Sequence, residues 1–384
     1  MDATATNNKA NDNDSSISNI KDVKDNNPPT QKTNKILYII VGVVSGIVIV
    51  TCIVLLVVLI VTKDKPQKKV ITDNSIENSN QTLKLFIQGN SERGRNLQEG
   101  DENIKILGDN FNELSSLNAI LYVDNKTIDF NKNISINMSK STTIEIKFLG
   151  NLTTFKEMFK GCNKLNQVTL NYIVTGNETE TSSMFEGCTG LTEVKFENMT
   201  ISNITSTSKM FGDCSNLYKI DIKNFSTYRT IDMKQMFEGC SNLSDNNFLS
   251  SLITSNVNDM SKMFSGCSKI TSLDLSRYDT SNVRDMSGMF KNMKSLYSLD
   301  LSNFDTYYVT YMNEMFENCT SIDTINLSNN FKTVNVVNMS RMFYNCINLK
   351  NLDLSSFNIT NKTNTKDMFN NTNTTIIKGL NFYY

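Results

Sequence analysis

Histidine is missing from all 384 residues. That removes the commonest general base and the commonest metal ligand together. Serine, cysteine and aspartate are numerous, yet no histidine can activate them as nucleophiles, and no Gly-rich phosphate loop or paired-carboxylate motif compensates. No catalytic residue, metal ligand or cofactor is expected. A charge imbalance is missing too: 38 lysines and arginines stand against 39 aspartates and glutamates. That balance draws the chain neither to nucleic acid nor to acidic partners. Proline is nearly absent, and two of the three prolines are adjacent at Pro28-Pro29.

Residues 1–35 are polar, few of them aliphatic, and cannot bury enough apolar surface to offset ordering entropy; a disordered tail is expected. Ile36 to Thr62 then runs 27 residues without a charge. A bilayer core needs roughly 20 apolar residues as a helix, so 36–62 reads as a single-pass, uncleaved signal anchor. Inside it Gly42 and Gly46 form G-x-x-x-G, a spacing that lets two copies dimerise, although such glycines also face lipid. Lys32 and Lys35 flank one end and Lys63, Lys65, Lys68 and Lys69 the other. The flanks favour a cytoplasmic C-terminal side, but long domains translocate largely regardless of them. About seventeen N-x-S/T sequons follow the span, among them Asn125, Asn151, Asn177, Asn203, Asn224, Asn318, Asn338 and Asn358, and they favour repeats outside the cell. Residues 63–105 read as a juxtamembrane stalk with one strand at Leu83 to Ile87. Residues 106–157 read as a cap, with a short helix at Asp109 to Leu117 and strands at Ala119 to Val123, Ile134 to Met138 and Thr143 to Phe148.

From Met158 onward, 158–384, a unit returns about every 26 residues. Its marks are Met158-Phe159, Met184-Phe185, Met210-Phe211, Met236-Phe237, Met263-Phe264, Met289-Phe290, Met315-Phe316, Met342-Phe343 and Met368-Phe369. A fixed period in this range is the signature of a stacked array. Val257, Met260, Met263, Phe264, Cys267 and Ile270 are spaced for one face of a short helix. Leu273-Asp274-Leu275-Ser276 alternates apolar and polar, the period of a half-buried strand. Helices are about 10 Å wide and parallel strands about 4.8 Å apart, so an array of both curves, strands on the concave face.

The carriers Gly266 to Phe290 (GCSKITSLDLSRYDTSNVRDMSGMF) and Asn292 to Phe316 (NMKSLYSLDLSNFDTYYVTYMNEMF) resemble the BspA-like leucine-rich-repeat surface proteins, over about residues 144 to 370. The resemblance implies an α/β solenoid on the cell surface, with roles in adhesion or host interaction. The anchor differs, being an uncleaved helix here and not a lipobox cysteine.

Seven cysteines recur with the period: Cys162, Cys188, Cys214, Cys240, Cys267, Cys319 and Cys346. They read as buried thiols and not as a disulfide ladder. Met293 fills the same position in one unit, the number is odd, and helical positions in successive coils should stand too far apart to bridge. Alternation turns Thr169, Lys195, Asp221, Phe248, Asp274, Asp300, Asn326 and Asp353 outward on the concave face. Asp274 and Asp300 should be repelling neighbours that a basic partner relieves, unless Ser276, Ser302, Ser328, Ser355 and water dilute the charge. Phe248 is an aromatic in a polar column, in a unit with one extra residue. The ligand-binding candidates are therefore Asp221, Phe248, Asp274, Asp300, Asn326, Asp353, Ser276 and Ser302. The expected function is a membrane-anchored surface module that binds a protein or glycan on another cell or on matrix. The alternatives are a cytoplasmic tethered scaffold in reversed topology and, more remotely, an extracellular hydrolase.

Overall fold

The computed structural model describes residues 73–89, 101–175, 179–198, 201–222, 225–372, 376–378 and 381–383. Two compact units divide the chain, Met1–Val70 and Ile71–Tyr384, and every described residue belongs to the second. The expected membrane segment 36–62, with Gly42 and Gly46, lies outside the described residues. Among those residues no helix is long and apolar enough to cross a membrane.

The described parts of the segment expected to be a stalk, 73–89 and 101–105, are instead part of the cap. After a short helix α1 (Asp73–Glu77), strand β1 (Thr82–Ile87) buries Leu83, Leu85 and Ile87 on one face. A strand with so apolar a face is stable only inside a sheet. β2 (Asp101–Lys105), β3 (Ala119–Val123), β4 (Lys126–Ile128), β5 (Asn133–Asn137) and β6 (Thr142–Phe148) complete the cap, close to the strands read from sequence. β1 lies antiparallel between β6 and β7 (Gln167–Asn171), the first strand of the array, so cap and array share one sheet. No helix forms over Asp109 to Leu117. Turns do, with the Asn118 amide donating to the Glu113 carbonyl at 2.8 Å and its oxygen accepting from the Ser115 N–H at 2.8 Å.

Beyond β7 the chain is a β-solenoid with a spacing of about 26 residues. β8 (Thr179–Glu180), β9 (Glu193–Glu197), β10 (Ile204–Ser206) and β11 (Lys219–Asp221) follow, with β7, β9 and β11 pairing in parallel. The next unit has a 3-10 helix, Asn247–Ser251, where a strand would stand. The ladder resumes with β12 (Ser298–Leu301), β13 (Thr324–Leu327), β14 (Asn351–Asp353) and β16 (Ile376–Lys378); β15 (Asn358–Thr360) and β17 (Asn381–Tyr383) pair beside it.

The Met-Phe segments are not helices. Each is a pair of tight turns closed by bonds from residue i+3 back to residue i. In one unit the Met263 N–H donates to the Met260 carbonyl at 3.2 Å, and the Cys267 N–H to the Phe264 carbonyl at 3.1 Å. The third residue of each turn is left-handed: Lys262 at φ 54° and Gly266 at φ 78°. Every unit repeats this, from Glu157 and Gly161 to Asp367 and Asn371. The N–H groups of Lys262, Phe264 and Gly266 donate to carbonyls of the next unit (Ser287, Met289 and Lys291) at 2.7–3.0 Å. A helix would spend them internally. The edge is therefore a second parallel ladder made of turns.

That geometry sets the core. Phe159, Phe185, Phe211, Phe237, Phe264, Phe290, Phe316, Phe343 and Phe369 stack ring on ring, with centroids 5.2–6.1 Å apart. The methionine columns are buried beside them, so the fan-out that 10 Å helices would impose is much reduced. All seven cysteines are free and buried. From Cys188 onward each thiol donates to the phenylalanine carbonyl of the preceding unit, at 2.9–3.2 Å. In the last unit Thr372 stands in the cysteine position and its hydroxyl makes the same bond, to Phe343. On the opposite side a threonine ladder joins the coils. Buried Thr280 accepts from the Asp305 N–H at 2.9 Å and donates to the Asp305 carbonyl at 2.8 Å, and Thr227 and Thr333 do likewise one or more units away.

Candidate ligand-binding face

The outward strand column exists, but in two stretches. Thr169, Lys195 and Asp221 are Cα partners in β7, β9 and β11. Asp300 and Asn326 are partners in β12 and β13, and Asp353 pairs with Lys378. Along β12 and β13 alternation holds: Asp300 and Asn326 are exposed, while Leu299 and Ile325 are buried. Asp274 is exposed on an extended stretch that is not part of a paired strand.

The expected repulsion between Asp274 and Asp300 is not what governs these acids. Each carboxylate is satisfied by the chain two residues on, a local turn typical of aspartate. Asp274 accepts from the Ser276 N–H at 3.1 Å and hydroxyl at 2.6 Å. Asp300 accepts from the Ser302 N–H at 2.9 Å and from the Asn326 amide at 3.0 Å. Asp353 accepts from the Ser355 N–H at 2.9 Å and hydroxyl at 2.5 Å. Repulsion would raise the first two. The Ser276 hydroxyl and N–H hold Asp274 below the usual carboxylate range, and the Ser302 N–H and hydroxyl do so for Asp300. Stacked acids occur elsewhere: Asp232, Asp259 and Asp285 are bridge partners in successive coils, and burial, then Asp259, pushes the Asp232 carboxyl up.

Phe248 is not an outward strand residue. It sits in the 3-10 helix, half-buried, with its ring tilted against Phe237 at 5.5 Å. The unit from Met236 to Met263 is one residue longer than its predecessors, and Asn246-Asn247 replaces the apolar–acidic alternation. Beside it opens a cleft of about 350 Å³ lined by Lys219, Asp221, Asp245, Asn247, Phe248 and Ser251, among others. Two of these, Asp221 and Phe248, were legible as candidates; Asp245 and Ser251 were not, and the double asparagine was the available signal. Lys219 is held by Glu193 at 2.9 Å. A larger cleft of about 440 Å³ lies between cap and first coil, but its acids are engaged: Glu113 by Thr153 and Glu157 by Asn110.

Among the sequons named above, Asn318 and Asn338 have their amides in use, as do the further sequons Asn198, Asn242 and Asn326. The Asn318 amide donates to Asn292 at 2.9 Å and its oxygen accepts from Asn345 at 2.9 Å; the Asn338 amide donates to Asn313 at 3.3 Å. A glycan on either would break that bond. Asn125 and Asn151 are exposed, whereas Asn177 and Asn224 lie outside the described residues.

Comparison with curated proteins finds no match. Among solved structures, a leucine rich cell surface protein from Faecalibacterium prausnitzii A2-165 is similar at 13% identity and a TM-score of 0.21, covering 61% of this chain and 83% of that one. A leucine-rich repeat protein from Bacteroides ovatus ATCC 8483 is similar at 15% identity and a TM-score of 0.22, covering 62% of this chain and 79% of that one. The family model described as "Mycoplasma protein of unknown function, DUF285" matches three overlapping stretches, residues 110–219, 205–299 and 258–379. Together they take in the array and most of the cap, and the chain belongs to that family.

Proposed function

We propose that the chain is a membrane-anchored surface protein that binds a protein or glycan on another cell or on matrix through its outward strand face, without chemistry of its own. One observation carries the reading: a polar column (Asp300, Asn326, Asp353) stays exposed, coil after coil, over buried Leu299, Ile325 and Leu352. A face held by a stacked core and presenting one side chain per strand suits recognition. The apolar run 36–62 serves as the anchor, with Gly42 and Gly46 as a contact between two copies.

Protease shaving of intact cells tests the orientation. Loss of the repeats supports the surface reading. Repeats protected until lysis would establish the cytoplasmic scaffold, which the lysines at 63, 65, 68 and 69 favour. The face itself is tested by the combined changes Asp274→Asn, Asp300→Asn and Asp353→Asn. Attachment to cells or capture of a basic partner should fall at low salt and differ less at higher salt, with circular dichroism unchanged. Equal attachment by wild type and variant at both salt levels would place the ligand elsewhere.

A further inference from the structure

Each coil turns a corner between the ladder threonine and the first methionine, and one coil departs there from what its neighbours do. Two residues past the threonine, Asn256, Asn282 and Asn335 donate their side-chain amides to carbonyls of the preceding coil (Tyr228, Ser255 and Tyr307) at 2.6–2.8 Å. The coil between the last two carries Tyr308 at that place, and no group among the described residues donates to the Ser281 carbonyl. Further along the corner, Asp232, Asp259, Asp285, Asn338 and Asn364 each accept from the N–H two residues on, at 2.8–3.1 Å. Tyr311 takes that place in the same coil, and the Asn313 N–H loses the acceptor. Two local hydrogen bonds are given up for two exposed tyrosines. Positions where a sequence abandons its own structural rule without compensation are expected at functional sites.

Tyr307, Tyr308 and Tyr311 form one exposed apolar patch with Val334 and Val337 of the following coil. The two corners lie side by side, since the Val337 N–H donates to the Thr310 carbonyl at 2.9 Å. Contiguous exposed apolar surface marks an interaction site, and tyrosine and arginine are the side chains such sites favour. We propose that this corner binds a proline-rich segment of another protein in the polyproline II conformation. The patch belongs to the corner and not to the outward strand column, so it is a second binding surface. Three features choose the occupant. The Tyr311 backbone is bridged to Asp285 on one side and Asn338 on the other, which leaves no edge for an added strand. The Tyr307 and Tyr308 rings stand at 87° with centroids 5.1 Å apart, a notch that fits a pyrrolidine ring better than the flat face of a sugar. The polar groups turned outward are the three tyrosine hydroxyls and the Arg284 guanidinium, which lies 5.9 Å from the Tyr308 centroid and makes no ion pair among the described residues. A polyproline II segment offers what these groups need: carbonyls with no internal hydrogen bonds, on a chain whose prolines carry no N–H. Spacing adds a polarity. Arg284 and Val337 are two coils apart, about 9.6 Å at about 4.8 Å per coil, and one polyproline turn of three residues advances about 9.3 Å. An acidic residue on Arg284 therefore falls one turn from a proline on the valines.

The test uses the full chain and a fluorescent, acetylated decapeptide of nine prolines and one glutamate, read by polarisation. Binding is expected, and it should be about tenfold or more weaker when alternating glycine and serine replace the prolines, because that chain is not preformed. Tyr308→Asn and Tyr311→Asn bring back the residue type of neighbouring coils. Each should weaken binding by about tenfold or more while the urea midpoint holds or rises. Arg284→Gln should weaken the glutamate peptide and leave plain decaproline unchanged. No binding to wild type overturns the proposal, as does equal binding by the glycine–serine peptide or by both tyrosine variants. A lower urea midpoint in both tyrosine variants would show that the rings hold the coil together, and also overturns it. Dextran or dextran sulfate displacing the peptide from wild type, and binding neither tyrosine variant, would make the corner a glycan platform and overturn it as well.

Discussion

At the scale of single residues, the core is held by side chains that combine apolar bulk with one hydrogen bond. The thiols illustrate it: burial pushes Cys188 and Cys346 up to about 12, and each sulfur donates to a carbonyl one coil back. A thiol so placed is a poor nucleophile. Alkylation of the native protein near pH 8 should label few of the seven, and labelling after denaturation without reductant should reach them all. Labels missing after denaturation would mean disulfides. Thr372 repeating the cysteine bond shows that a donor at this position is used, which the sequence did not make evident because cysteine reads equally well as apolar filler. Tyr278 is the opposite case. It sits where neighbouring coils carry Phe304 and Phe331, it is buried, and its hydroxyl has no partner. An unsatisfied buried hydroxyl costs about 1–3 kcal/mol, so Tyr278→Phe should stabilise the fold by an amount in that range. A lower urea midpoint for the variant would mean that the hydroxyl finds a partner.

At the scale of the element, the period was legible and the conformation was not. Met-Phe pairs and cysteines fixed the repeat length, and alternation correctly buried Leu299 and exposed Asp300. The i, i+3 spacing within Met260–Met263 and within Phe264–Cys267–Ile270 is shared by a helix and by consecutive tight turns, so it could not choose between them. The deciding signal was local. The residue before each cysteine position is Gly, Asn or Asp, the types that tolerate left-handed backbone: Gly161, Gly187, Asp213, Gly239, Gly266, Asn292, Asn318, Asn345 and Asn371. The ladder break was hidden for a similar reason, since NNFLSS offers both strand-like and turn-like residues. Gly266 at φ 78° gives a test. Gly266→Ala adds a Cβ 3.4 Å from Gly239 and forces alanine into the left-handed region, so it should cost about 1–2 kcal/mol. Thr280→Val should cost about 1–3 kcal/mol by leaving the Asp305 N–H and carbonyl without the hydroxyl, and Thr280→Ser should restore most of it. Equal midpoints for valine and serine would show that the ladder contributes only packing.

At the scale of the whole molecule, each coil contacts only its neighbours, so stability is a sum along a line. Ion pairs contribute across coils. Burial pushes Glu193 and Glu317 up, but Lys219 and Arg341 outweigh it and hold both carboxyls below the ordinary range. A depressed folded value gives stability that is present above the unfolded value and is lost as pH falls through the folded one. Melting temperature should therefore be level from about pH 7 to 5 and drop below about pH 4. An undiminished melting temperature at pH 3 would remove these pairs from the account. The continuous ring stack makes a sharper prediction. Phe264 lies fully buried in the middle of it, 5.8 Å from Phe237 and 6.1 Å from Phe290. Phe264→Ala should cost about 3–5 kcal/mol and weaken the two interfaces on which the coils either side depend. In a line of nearest neighbours, a lesion at the centre uncouples the two halves, so unfolding should separate into two transitions. Phe369→Ala, next to a single stacked partner at 5.5 Å, should only fray the last coil and leave one main transition. Hydrogen exchange would localise the difference, with protection lost around residues 237–290 in the first variant and beyond 343 in the second. Two variants with the same single transition and the same exchange pattern would mean that the array unfolds as one block and that the stack is not its spine.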